Sequence, residues 1–196
     1  MKRVLLAGVL GGLAFFVWGA VSWMALPFHT STLNTLPGEP QEVDRWLQRL
    51  PRAGVYHYPG FPHNEDGSPV TDSQTESSFQ RMRQGPRVTF MVYRPDGCEP
   101  FPPQKFLLGL GLDVLAAGIL AWLIWITRAS LPSFGRRLAA VMVVAVLAVI
   151  LAILPSALWW SYPAGFVALE VTDVLVGSLF AGLAIAKLIP GPTASR

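Results

Sequence analysis

Three carboxylates lie inside otherwise apolar stretches of this chain of 196 residues. Asp113 interrupts one stretch, and Glu170 and Asp173 interrupt another. Ionisable groups in hydrocarbon are costly, so each requires a partner, a proton or a function. At a helical rise of about 1.5 Å per residue, Asp113 would lie roughly 12 Å, Glu170 roughly 10 Å and Asp173 roughly 15 Å from one membrane surface. We therefore expect the three acids at one level of a helix bundle.

Close carboxylates cannot all ionise cheaply, so such a group would hold and pass on a proton or bind a cation. His29 follows the first apolar stretch, at the level where it would approach Glu170. Asp173 shares a helix face with Glu170 and with small residues, which mark the side where membrane helices approach each other. The alternative is structural: neutral acids would bond across helices to Ser22, Thr172 or backbone carbonyls, and Glu170 would reach lipid headgroups.

His57 and His63 are the other side chains that could bind a ligand. Imidazole together with nearby carboxylates suits zinc or copper, but the spacing of these residues matches no metal motif. Solvated or interfacial histidine is the alternative, so a metal site stays an open question. The chain contains no phosphate-binding glycine loop, no nucleophile elbow and no HExxH sequence. We therefore expect neither an enzyme nor a cofactor.

Four apolar stretches must position these groups. The composition is 52% hydrophobic and only 14% charged, whereas soluble domains average about 25% charged residues. About 20 apolar residues suffice to cross a bilayer. The fold class predicted is therefore an all-α membrane protein with four transmembrane helices, over residues 1–28, 106–127, 138–160 and 164–189.

The first helix raises two further questions. Its apolar run is longer than the core of a typical signal peptide, which favours an uncleaved anchor over residues 1–28, with cleavage as the alternative. Gly8 and Gly12 form a GxxxG pair that suits close helix packing. The ordinary frequency of glycine in membrane helices explains the pair equally well.

A polar segment separates the first two helices. It covers residues 29–105 and contains all three histidines. Spacing and composition predict a short helix over residues 41–50, strands over residues 54–58 and 87–93, and a mobile loop over residues 64–78. The segment is thus predicted to be a small α+β insertion.

Charge predicts the orientation. The termini and the loop between the second and third helices carry seven basic residues and no acidic one: Lys2, Arg3, Arg128, Arg136, Arg137, Lys187 and Arg196. Both termini should therefore face the cytoplasm of a bacterium, and the large insertion should be periplasmic. The basic residues form no long run, so we expect no nucleic-acid partner. A buried thiol is favoured for Cys98, with pairing between chains as the alternative.

Three short motifs of this sequence resemble motifs of a known group of proteins. They are Ser-Trp-Met-Ala-Leu-Pro-Phe-His at residues 22–29, Arg-Pro-Asp-Gly at residues 94–97, and Trp159-Trp160 followed by Pro-Ala-Gly at residues 163–165. The chain resembles a group of small bacterial inner-membrane proteins with four helices. It departs from that group at Phe28, where tryptophan is expected, and at Ala164, which separates proline from glycine. No activity is established for the group, so the resemblance implies four spans and a periplasmic loop but no chemistry.

The sequence thus favours a non-enzymatic accessory, assembly or interaction protein of the inner membrane. Its expected partners are the lipid bilayer and either another membrane protein or a second copy of the chain. The alternative is a proton- or cation-coupled transport or sensing element built on Asp113, Glu170 and Asp173. Four helices are few for a transporter, so this alternative requires an oligomer.

Overall fold

In a computed structural model, which describes residues 1–64, 66–68, 70 and 73–192, the chain divides into two compact units. One unit comprises Met1–Asn34 and Pro100–Arg196, and the other is Thr35–Glu99. Among the described residues, four helices are long and apolar enough to cross a membrane: α1 (Lys2–Met24), α4 (Pro103–Ile126), the broken helix Phe134–Trp160, and α7 (Ala164–Leu188). The prediction of four long apolar helices is confirmed.

Helix α1 is the centre of the helical unit, because it packs along both α4 and α7, which touch each other far less. Its glycines allow the closest approach. A Cβ atom at Gly12 would lie 2.4 Å from the Cα of Val114, and one at Gly8 would lie 2.7 Å from the Cα of Gly118. The GxxxG pair therefore has a packing role, since any larger residue would collide with the backbone of α4.

The third helix is not regular. It consists of α5 (Phe134–Ala148), a π-helical turn (Val149–Ile153) and α6 (Leu154–Trp160). Pro155 has no N–H to donate to the preceding turn, and the Leu154 N–H bonds five residues back to the Val149 carbonyl. The helix begins earlier than predicted because Ser133 caps it: the Ser133 hydroxyl accepts a bond from the Arg136 N–H.

Arg137 is buried, with 7% of its surface exposed. Its guanidinium donates to three backbone carbonyls: Nε to Ala186 (3.1 Å), and Nη1 to Leu131 and Pro132 (3.0 Å each). These bonds tie the end of α7 to the loop before α5 and satisfy carbonyls that a helix terminus leaves open. From the charge pattern, Arg137 is only one of the basic residues that predict membrane orientation. The structure shows that it also connects α7 to the loop before α5.

The second unit contains the small sheet that the sequence predicts. Its elements are α2 (Pro40–Leu47), β1 (Gly54–Tyr58), α3 (Ser73–Gln84) and β2 (Val88–Tyr93). The strands are antiparallel, with Val55 opposite Val92 and Tyr56 opposite Met91. The predicted helix and both predicted strands of this segment are confirmed.

Two predictions for this unit are wrong. The mobile loop predicted for residues 64–78 includes the start of α3; residues 65, 69, 71 and 72 lie outside the described residues. The polar composition of this segment does not indicate a helix. Tertiary packing stabilises it in the structure, where the Phe79 ring meets the Phe61 ring edge-on with centroids 6.2 Å apart. Cys98 is exposed rather than buried, because it follows a turn at the end of the unit.

Candidate functional site: a buried serine–histidine–aspartate network

The candidate site begins where α1 ends. Ser22 lies in the last turn of α1, and Pro27 soon follows, which has no N–H to continue the helix. The chain then forms a short 3₁₀ turn, His29–Ser31, that brings the His29 ring back to Ser22. Both side chains are almost completely buried, with 0% of Ser22 and 3% of His29 exposed. Buried polar groups of this kind need hydrogen-bond partners.

Asp173 of α7 supplies those partners. The Ser22 hydroxyl donates to Oδ1 of Asp173 at 2.6 Å, and Nε2–H of His29 donates to Oδ2 at 2.9 Å. The same Nε2 lies 3.1 Å from Ser22 Oγ, which can share its proton. Asp173 is itself mostly buried, with 19% of its side chain exposed. Three polar groups far apart in sequence therefore satisfy one another inside the helical unit.

Trp23 covers one face of the histidine. The Trp23 and His29 rings stack with centroids 3.7 Å apart and planes inclined by 10°. An aromatic face is favourable to a cation lying over it, so the stack tolerates both the neutral and the protonated imidazole. Trp23 and Asp173 together fix the ring plane and the direction of Nε2.

Glu170 lies one helical turn from Asp173, close enough to interact electrostatically with it and with His29. It makes no hydrogen bond to any residue that the structure describes. The depth of Glu170 in its helix predicts that it approaches His29, but the His29 ring bonds to Asp173 instead. Thr172, an alternative partner for the acids, bonds to the Ala168 carbonyl of its own helix.

Asp113 lies elsewhere in the helical unit. It is on α4, next to the close approach of Gly12, and is partly exposed. In the described part of the chain, no hydrogen bond or ion pair joins it to Glu170 or Asp173. Nor do the described residues gather three or more His, Cys, Asp or Glu side chains into a group that could hold a metal ion. The structure thus places two of the acids together and the third apart.

The histidines of the second unit have ordinary contacts. Nδ1 of His57 lies 3.3 Å from the Pro59 carbonyl, and its ring is tilted against Phe61 at 5.5 Å. His63 is exposed. Nearby, bonds from the hydroxyl and backbone N–H of Ser68 hold the pKa of Asp66 below its usual value. Among the described residues, no hydrogen bond or ion pair joins His57 or His63 to a carboxylate.

The residue types of the network are those of a hydrolytic triad, but its connections are different. In a triad the aspartate binds Nδ1 and the serine faces Nε2, so that the imidazole removes the serine proton. Here Ser22 and Asp173 meet the same nitrogen, and the hydroxyl donates directly to the carboxylate. Because Ser22 is also fully buried, the arrangement does not present an activated nucleophile. It can hold a proton and exchange it among neighbouring groups.

The sequence predicts Ser22 as one possible partner of an intramembrane acid, but it does not predict that His29 and Ser22 share Asp173. Trp23 has no predicted role beyond its place in a motif. The spacing of Ser22, Trp23 and His29 around Pro27 is the one signal that could have suggested a compact turn at the helix end. Comparison of the chain with protein-family models, curated proteins and solved structures found no match.

Proposed function

We propose that this chain is a non-enzymatic interaction protein of the bacterial inner membrane. Its four apolar helices would anchor it, with both termini in the cytoplasm, and the unit Thr35–Glu99 would bind a partner in the periplasm. Length and hydropathy of the four helices support insertion, and the distribution of basic residues supports the orientation. The connections within the Ser22–His29–Asp173 network support a role without catalysis.

The observation that carries the proposal is an apolar groove in the second unit. The groove has a volume of about 440 Å³ and is lined by residues of α2 and both strands. Three of its large side chains are far more exposed than a stable core would leave them: Trp46 at 48%, Tyr58 at 53% and Val88 at 45%. Exposed apolar surface of this kind marks interaction sites in folded proteins. We infer that the occupant is an apolar segment of a partner membrane protein.

Cross-linking in intact cells tests the groove. With the photoreactive residue p-benzoylphenylalanine replacing Tyr58, we expect one discrete cross-linked protein band, since position 58 borders the groove. Val88→Glu should abolish the band because it places a charge in the apolar groove. Val88 is 45% exposed, so we expect Val88→Glu to leave the unit folded and to change its free energy of unfolding by no more than about 1 kcal/mol, the span of strand propensities. Cross-links to lipid alone, or no cross-link, would contradict the proposal.

The same strand provides the matched control. Val92 is even more exposed than Val88, at 63%, but it does not line the groove. Val92→Glu should therefore keep the cross-linked band. Loss of the band in both variants would mean that any added charge disturbs the unit, and the groove would no longer be supported as the contact surface.

A separate experiment tests the proposed orientation of the chain in the membrane. It uses Cys98, which is the single cysteine of the chain and is exposed. A membrane-impermeant maleimide added to intact cells with a permeabilised outer membrane should label it. Lysis should add little further labelling, since the unit is expected outside the cytoplasm. A thiol that is protected in intact cells and labelled only after lysis would reverse the proposed orientation.

A second candidate function is a proton-responsive element, and one observation favours it. His29 is buried against Asp173, with Glu170 one turn away, so that a histidine and two acids interact in one place. Histidine is the side chain whose charge most readily changes between about pH 5 and 8. A change of charge on His29 would alter the bonds that hold the end of α1 to α7.

A further inference from the structure

An apolar cavity lies between α1, α4, α5 and α7, apart from the Ser22–His29–Asp173 network. Its volume is about 370 Å³, within the range of roughly 300–1,000 Å³ typical of small-molecule sites. The wall consists mainly of aliphatic side chains, among them Leu120, Val141 and Val144. Asp113 and Ser178 are its polar members. Asp113 is therefore the one ionisable group that the described residues contribute to the apolar lining of this cavity.

Asp113 lies at the boundary between this cavity and a second one. It lines this cavity and also a neighbouring hollow of about 340 Å³ between α1 and α4. Among the described residues, no lysine or arginine lines either space. Its carboxylate has no hydrogen-bond or ion-pair partner among the described residues. A carboxylate in such surroundings needs either a proton or a positive charge from outside the chain.

The surroundings suit an organic cation better than a metal ion. Calcium takes six to eight oxygen ligands, and magnesium takes six, whereas the described residues offer one carboxylate at this place. A cation that carries apolar substituents can be bound by one negative charge together with an apolar wall. Phe15 lines both spaces beside Asp113 and adds an aromatic ring to which a cation is attracted.

We propose that this cavity binds a lipophilic organic monocation, such as a substituted ammonium or phosphonium, with Asp113 as its counter-charge. The aliphatic wall would hold the substituents, and Phe15 would face the charged centre. This site is independent of the partner-binding groove, which lies in the other unit.

Equilibrium dialysis with radiolabelled tetraphenylphosphonium tests the proposal on the full chain in detergent micelles. We expect saturable binding with one site per chain. Asp113→Asn should weaken binding by at least about tenfold, because it removes the counter-charge but leaves the volume almost unchanged. Glu170→Gln removes a different intramembrane carboxylate and should leave the affinity unchanged.

Two further measurements separate a cation site from a general apolar cavity. Ala116→Phe, which fills the cavity from an exposed position and keeps Asp113, should also abolish binding. The neutral triphenylmethanol should not displace the cation. If triphenylmethanol displaces it, or if Asp113→Asn binds as well as the original chain, the cavity holds only acyl chains or detergent and the proposal is wrong. If Asp113→Asn does not fold, Ala116→Phe and the neutral competitor decide the question.

Discussion

Gly12→Ala will destabilise the helical unit, although alanine is the better helix former. A Cβ at this position would lie 2.4 Å from the Cα and 2.5 Å from the backbone nitrogen of Val114. Backbone atoms cannot rotate away as a side chain can, so α1 and α4 must separate. Overpacking typically costs about 1–3 kcal/mol, and we expect the upper end despite a gain of about 1 kcal/mol in helix propensity. Unfolding in SDS, followed by tryptophan fluorescence, measures the difference.

Gly19 provides the matched control in the same helix. Apart from the local backbone of α1 itself, no atom of the described residues would lie within 4 Å of a Cβ at Gly19, so Gly19→Ala gains helix propensity without a collision. The free energy of unfolding should rise slightly or stay the same. Equal destabilisation by the two substitutions would show that α1 requires glycine for reasons other than its approach to α4.

Asp173→Ala will have an effect of similar size at the other helix contact of α1. The substitution leaves Ser22 and His29 buried, at 0% and 3% exposed, without their common partner. Leaving a buried hydrogen-bonding group without its partner costs about 1–3 kcal/mol, and because Ser22 and His29 both lose Asp173 while they still contact each other, we expect a loss near 3 kcal/mol. The same SDS unfolding experiment measures the loss. The neighbouring Thr172→Ala should change the free energy of unfolding by less than about 1 kcal/mol, because Thr172 is exposed and, among the described residues, its hydroxyl bonds to the Ala168 carbonyl of its own helix.

A pH series decides whether the network is only structural. The Trp23 ring stacks on His29, so its fluorescence should report a change in the charge of the imidazole. His29→Gln keeps an N–H that can donate to Asp173 but has no basic nitrogen that gains a proton. A pH-dependent signal that disappears in His29→Gln would support the proton-responsive candidate. A signal that stays the same in both proteins would come from elsewhere, and the network would then be a structural tie.

Local features of the sequence account for the four long helices, α2 and both strands, but not for α3. The four long helices follow from runs of apolar residues of sufficient length, a property that needs no knowledge of neighbours. Both strands and α2 follow from alternation and helical spacing in short segments. Helix α3 was missed because its residues are mostly polar, and its apolar face becomes apparent only when Phe79 meets Phe61.

The candidate site depended on information that no local pattern contains. Helical spacing predicts the depth and face of an acid, but not how far each helix is rotated toward its neighbour. For that reason the sequence predicts only that the three acids lie at one level. In the structure, Asp173 pairs with Ser22, 151 residues away, whereas Asp113 lines a separate cavity. Contacts between helices also determine two other features. These are the close approach of α1 to α4 at Gly8 and Gly12, and the burial of Arg137. The sequence by itself determined the four long apolar helices, α2 and both strands, because these follow from local patterns; tertiary packing determined α3 and which polar groups meet.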